Sequence, residues 1–253
     1  MKKVFLNIFS FILLFTSQLI SQQFLTGSPE WLVDMFFSKT NFHAKADYYT
    51  GEMLNETNQP TIGEELKGEG EIFFHQIKSQ NDELVFAVEV NQDQKVIDFY
   101  SYLKKENDRW KIFAVRRFIL PNFIYKVVDS LSQLTLLSPA DSSFYLSLQV
   151  FVMNDSQLKN YLISNLDAFN ELINYFNQDN KEAGDRKLAD LGLNSIFIDK
   201  NFPGCVFVMI NTVQRLAIGF IYAKEEAKLP DISVNDLIYL EEVVLGWFIF
   251  RAI

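Results

Sequence analysis

Residues 69–120 constrain this chain more than any other stretch. Four runs rich in β-forming residues, 69–77, 84–90, 96–103 and 110–119, alternate with turn formers. The turns are Ser79-Gln80-Asn81-Asp82, Asn91-Gln92-Asp93-Gln94 and Lys104-Lys105-Glu106-Asn107-Asp108. Short strands joined this way make an antiparallel meander. On the last run Trp110, Ile112 and Ala114 alternate with Lys111, which places those three on one face. Such a sheet can turn one face to a core and the other to water.

The N-terminus carries the most specific signal. Met1-Lys2-Lys3 is basic, residues 4–20 are almost wholly apolar, and Thr16-Ser17-Gln18-Leu19-Ile20-Ser21-Gln22 follows. This is the layout of a secretory signal peptide, with cleavage expected after Ser21. An uncleaved anchor is the alternative, since the apolar run sits at the short end of what spans a bilayer. No other stretch is long enough to cross a membrane; residues 144–153 and 205–210 are apolar but short. The expectation is therefore a secreted or periplasmic protein with no membrane span after cleavage. Loss of Lys2 and Lys3 moves the formal net charge from −9 to −11. That acidity argues against nucleic acid as a partner. Cys205 is alone, so no intramolecular disulfide forms, and its run Cys205-Val-Phe-Val-Met-Ile210 marks it as a buried apolar residue.

Ahead of the meander, Ser28-Pro29-Glu30 opens a helix: Ser caps, Pro takes the first helical position, and Glu meets the positive end of the dipole. Trp31, Leu32, Met35 and Phe36 share one face, which is expected to pack on the sheet. Residues 42–53 suggest a second helix, and 54–68 an irregular loop broken by Asn55, Asn58, Pro60, Gly63 and Gly68. Glu64, Glu65, Glu69 and Glu71 read as a solvated acidic edge, without the alternating spacing of a calcium loop. Asn55-Glu56-Thr57 and Asn154-Asp155-Ser156 fit a glycosylation sequon, a short pattern that also arises by chance.

Pro121-Asn122 ends the meander. Helices are expected over 123–137, from Asp141-Ser142-Ser143 to about 153, and from Asp155 or Ser156 to about 177. In the last, Leu158, Leu162, Leu166, Phe169, Ile173 and Phe176 recur at helical steps. Short strands follow at 195–198, 205–211, 215–223, 237–244 and 247–252, the last four as two hairpins. The fold class is thus α+β: N-terminal helices on an antiparallel meander, then a second α+β unit with helices first and hairpins last. The division expected is a signal peptide at 1–21, one domain at 22–121 and another at 122–253.

The capped helix Ser28-Pro29-Glu30-Trp31-Leu32, the loop Pro60-Thr61-Ile62-Gly63 leading into Gly70-Glu71-Ile72, and the meander closing on Arg109-Trp110-Lys111-Ile112 resemble the nuclear transport factor 2-like superfamily. The resemblance covers about residues 28–120; residues 122–253 resemble no family we can name. It implies a cone of helices and sheet. That superfamily holds isomerases and dehydratases as well as binding and dimerisation modules, so it implies no activity by itself. Its ketosteroid isomerase branch pairs a carboxylate base with a Tyr donor in an apolar cone. By that resemblance Asp98 is the candidate base and Tyr48 or Tyr49 the donor. His75, alternating with Phe73 and Ile77, is another candidate acid or base. Trp31, Phe36, Phe74 and Phe99 are the candidates to line an apolar pocket. The 25 Phe favour a cone filled by side chains over a lined one.

Several chemistries lack their motifs. There is no glycine-rich phosphate loop and no Gly-x-Ser-x-Gly elbow, and two His with one Cys make a His/Cys zinc site improbable. Nothing calls for a cofactor or a metal. Two readings result. One is a non-enzymatic binding or interaction module for another protein or a small apolar ligand. The other is a small-molecule isomerase or hydrolase with a carboxylate or histidine base in the N-terminal cone.

Overall fold

The computed structural model describes residues 24–93 and 95–253; the signal segment, with its expected cleavage point, lies outside the described residues. Among the described residues no helix is long and apolar enough to cross a membrane. The fold is α+β. Helices α1 (Pro29–Phe37), α2 (Lys45–Tyr48) and α3 (Ile62–Glu65), with a 3-10 turn at Gly51–Glu56, precede strands β1 (Glu71–Gln80), β2 (Glu83–Gln92), β3 (Lys95–Glu106) and β4 (Arg109–Arg117). Then come α4 (Asn122–Ser132), α5 (Pro139–Phe151), α6 (Asp155–Ser164), α7 (Leu166–Asn177) and α8 (Lys181–Asp190). Strands β5 (Ser195–Phe197), β6 (Cys205–Val213), β7 (Leu216–Ala223), β8 (Leu237–Val244) and β9 (Trp247–Ala252) close the chain.

The meander has the order β1-β2-β3-β4, all antiparallel. Its strands run longer than the sequence pattern suggests, because the turns contract. Gln80 pairs with Glu83 and Glu106 with Arg109, leaving two-residue loops. Asn107 and Asp108 both take positive φ, as the mirror-image hairpin turn requires and as Asn and Asp tolerate. The alternation expected on β4 is interrupted. A bulge at Phe113 shifts the register from Leu103↔Ile112 to Tyr102↔Ala114. Ile112 therefore stays with Trp110 on one face, while Ala114 goes to the other.

Neither face of the meander is left to water along its length. One face carries Phe86, Val88, Phe99, Leu103 and Ile112 and packs against α1, Phe42 and Tyr49. The opposite face carries Val85, Ala87, Tyr100, Tyr102 and Ala114, and it is continuous with the core of the C-terminal half. Residue 121 lies between β4 and α4. The apolar core runs across it, because the second face of the meander is covered by the C-terminal elements. Polar contacts follow the same junction: the Tyr102 hydroxyl donates to the Ile238 carbonyl at 2.8 Å and Arg116 Nε to that of Val234 at 2.7 Å.

The helices show three further departures. Ser28 caps α1 by accepting from the Trp31 N–H at 3.2 Å. The fully buried stripe of α1 is Leu32, Val33, Phe36 and Phe37, rotated from the expected one; Trp31 and Met35 flank it half-buried. The single long helix expected after Asp155 is two, broken at Asn165, whose side-chain amide donates to the Tyr161 carbonyl at 2.8 Å and competes with the helical ladder. Before the meander, residues 42–53 form two short pieces instead of one helix, because Tyr49 leaves helical geometry to pair with Ile112.

The second sheet has the order β5-β6-β7-β9-β8, so the two hairpins join through β7 and β9. Gly219 permits this join: a Cβ there would lie 2.5 Å from the Val208 carbonyl oxygen and 2.8 Å from the Phe250 ring. Helices α6 and α7 lay Leu158, Leu162, Phe169 and Leu172 into the same core. Trp247, 1% exposed, sits at its centre, edge-on to Phe169 at 5.3 Å, with Nε1 donating to Asn170 Oδ1 at 3.0 Å. Trp247→Ala is expected to cost about 3–5 kcal/mol, measured as a shift in urea unfolding midpoint. A loss under about 1 kcal/mol contradicts this central placement.

Candidate functional site

The strand register decides which candidates meet. Along β2 and β3 the pairs Glu89↔Asp98 and Ala87↔Tyr100 lie on the face turned to the C-terminal half. On β1, Phe73 pairs with Glu89 and His75 with Ala87, so both belong to that same face. Asp98 and His75 are thus brought to one side, outside the space between α1 and the sheet. Tyr49 is on the other side, 1% exposed against Ile112. Burial pushes its phenol above the ordinary range, with Glu64 and Glu56 adding to the rise. Tyr48 packs edge-on to Trp31 beside it. The structure therefore does not bring Asp98 together with either tyrosine.

The candidates for an apolar pocket pack against one another. Phe36 and Phe99 are buried and Trp31 and Phe74 are half-buried in the cluster between α1 and the sheet. Leu32, Val33, Phe37 and Ile112 are fully buried there. Glu64, expected at a solvated edge, is a structural anchor. It accepts from the backbone N–H groups of Phe42 and Thr61 and from Lys45 Nζ. Burial alone raises its carboxyl, but these donors outweigh it and hold it at about 2.

Where β1–β3 meet α6 and β8, the junction opens into a cleft of about 410 Å³. Phe73, His75, Glu89, Asp98, Asp155, Ser156, Lys159 and Tyr239 are among its lining residues. Asp155 stands at the start of α6, whose N-cap is Asn154, with a capping box to Gln157. The first amide of that helix, Asp155 N–H, donates to Asp98 Oδ2 at 2.9 Å. Asp155 itself accepts from Arg251 Nε at 2.6 Å and from the Tyr100 hydroxyl at 2.8 Å. Arg251 donates further to the Met153 carbonyl, approaches Asp98 Oδ2 at 3.6 Å, and lies over the Phe118 ring at 5.0 Å. Next to this cluster, Glu241 accepts from His75 and the Tyr239 hydroxyl through one oxygen and from Lys159 through the other. Tyr239 stacks on Tyr100 at 5.0 Å. Glu89 accepts from Asn91 and Ser156.

The electrostatics separate two carboxyl groups. Burial pushes Asp98 up to about 7, and the neighbouring Asp155 adds to this against the opposing pull of Arg251. Burial also works against Glu241, but the hydrogen bonds from His75 and Lys159 prevail and hold it at about 2. The site can therefore store a proton at Asp98 near neutral pH while Glu241 stays ionised. Among the described residues no three His, Cys, Asp or Glu groups converge as a metal ion would need.

Sequence reasoning found Asp98 and His75 but missed Asp155, Arg251, Glu89, Ser156, Lys159, Tyr239 and Glu241 in this role. One signal was available. Arg251 interrupts the apolar run Trp247-Phe-Ile-Phe250, and a charge in a buried strand needs a partner. Comparison of the chain with family models, with curated proteins and with solved structures gave no match.

A stability profile follows from these shifts. A carboxyl raised in the fold stabilises it fully below its ordinary value, and that contribution is lost as pH rises through the folded one. For Asp98 the window is about pH 4 to 7. Glu241 and Glu64 act in the opposite sense, losing their contribution as pH falls from about 4.5 toward 2. Asp98→Asn is expected to gain on the wild type between pH 5 and pH 8, by at most about 1.4 kcal/mol per pH unit. Urea unfolding at the two pH values measures it; an unchanged difference between the two proteins contradicts it.

Proposed function

We propose that this chain is an exported, non-enzymatic binding protein that holds a small molecule in the cleft between the first sheet and α6–β8. The observation that carries the reading is the commitment of the charged groups around the cleft. His75 and Lys159 are tied to Glu241, and Arg251 is tied to Asp155. Held in these pairs, the groups have fixed positions around the cleft. The basic, apolar and polar succession of residues 1–22 supports export. A capped first helix followed by helices and a four-strand meander supports a first half of the nuclear transport factor 2-like kind, with its interior filled. Phe123, Tyr125, Leu136 and Phe144, exposed on and around α4 and α5, support a protein partner at a separate surface.

One observation favours the second reading, an acid–base isomerase or hydrolase. Asp98, pushed up to about 7, has the poise of a general acid or base, and His75 lines the same cleft. Native mass spectrometry of the full chain purified from its own host separates the readings. The expected result is a small-molecule adduct that Ser156→Trp abolishes by blocking the cleft, and that stays chemically unchanged overnight. A bare wild-type chain, or an adduct converted to a second species, overturns the binding reading.

A further inference from the structure

Glu89 and Asp98 stand directly opposite each other on β2 and β3. Facing side chains on adjacent strands lie about 5 Å apart at Cβ, and like charges there repel. Stability alone does not account for the pair, and breaches of this kind concentrate at functional sites. Glu89 makes no ion pair among the described residues; Asn91 and Ser156 fix its two oxygens in place. Asp98 uses Oδ2 for the Asp155 N–H and for Arg251, and its Oδ1 has no hydrogen-bond partner among the described residues. Nearby cations are already engaged: Lys159 with Glu241, and Arg251 most closely with Asp155. Both opposed carboxyl groups line the cleft, and so does Phe73, a residue 57% exposed.

We propose that the cleft binds an organic ammonium ion, its N–H groups received by Glu89 and by Asp98 Oδ1, and its carbon skeleton laid against Phe73. This rests on the reading of the cleft as the binding site and names the class of its ligand. An ammonium group supplies three donors and one positive charge, which answers two opposed carboxyl groups. Of these, Glu89 has no ion pair among the described residues, and Asp98 has only the Arg251 guanidinium at 3.6 Å, itself held more closely by Asp155. An exposed aromatic ring favours a cation or an apolar arm beside it. An anion would meet Glu89 and Asp98 with every nearby cation already paired.

The proposal carries a pH dependence. The charged or titratable groups around Asp98 are His75 on β1, Glu89 on β2, Tyr100 on β3, Asp155 and Lys159 on α6, Tyr239 and Glu241 on β8, and Arg251 on β9. Among them Asp98 holds its proton up to about 7, so an ammonium ion must displace that proton. Affinity therefore rises with pH, while an aliphatic amine stays protonated throughout.

Isothermal titration of the full chain with 2-phenylethylammonium, butylammonium and the neutral 2-phenylethanol tests this. At least one amine is expected to bind one-to-one, about tenfold more tightly at pH 8 than at pH 6, with no binding of the alcohol. Glu89→Gln and Asp98→Asn are expected to lose that binding while keeping the wild-type circular dichroism, and Phe73→Ala to weaken it. Binding of the alcohol without either amine, equal amine affinity at the two pH values, or unchanged binding in a folded Glu89→Gln overturns the ammonium class. The same probes, with 3-phenylpropionate added, are followed through the NMR signals of Phe73 and His75. If the alcohol or the carboxylate shifts them and the amines do not, the cleft stands and the ligand class falls. If no probe shifts them, both fall.

Discussion

The structure depends on one buried guanidinium. Arg251 stands on β9 in the second sheet, and its side chain is 4% exposed. A charge so far from water costs several kcal/mol unless it is paired and hydrogen-bonded. The carboxyl groups that answer it come from elsewhere in the chain: Asp155 from the start of α6 and Asp98 from the first sheet. Satisfying Arg251 therefore requires β3, α6 and β9 to meet. Apolar contacts bring the halves together without specifying their arrangement, since burial is non-directional. The guanidinium, with its fixed fork of donors, supplies direction.

That junction explains why the two faces of the meander have different fates. The face toward α1 is apolar at its centre except for the buried Ser101, and it closes on itself with aromatic rings, as in Phe37 against Phe99 at 5.5 Å. The other face is apolar at Val85, Ala87, Tyr102 and Ala114, which join the C-terminal core. At His75, Glu89 and Asp98 it turns polar, and there the packing opens into the cleft. Burial of Asp98 raises its carboxyl because the junction excludes water, so the feature that joins the halves also sets the chemistry of the site.

Much of the fold was legible because it is local. The strand runs of the meander, the Ser28 cap and both C-terminal hairpins follow from alternation, turn residues and capping, all readable within a few positions. The departures are long-range. The bulge at Phe113, which splits Ile112 from Ala114, answers to two cores that no local pattern distinguishes. Asn165 ends a helix through a side chain whose competition with the backbone depends on how α7 must turn. The site was half legible. Asp98 and His75 were found as titratable residues on alternating strands, but they were expected in the cone with Tyr49, and the register turns both to the opposite face because strand parity relative to the cone was not fixed. Arg251 pairs with Asp155 across 96 residues, a separation that leaves no local trace except a charge in an apolar strand.

The central claim is that the Arg251 cluster makes one cooperative body of the two sheets. Amide hydrogen exchange of Arg251→Gln against the wild type tests it most directly, because exchange reports opening strand by strand. The account predicts that β3 of the first sheet and β8–β9 of the second lose protection together, by a similar factor. Loss of protection confined to β8 and β9, with the first sheet as protected as in the wild type, would contradict it.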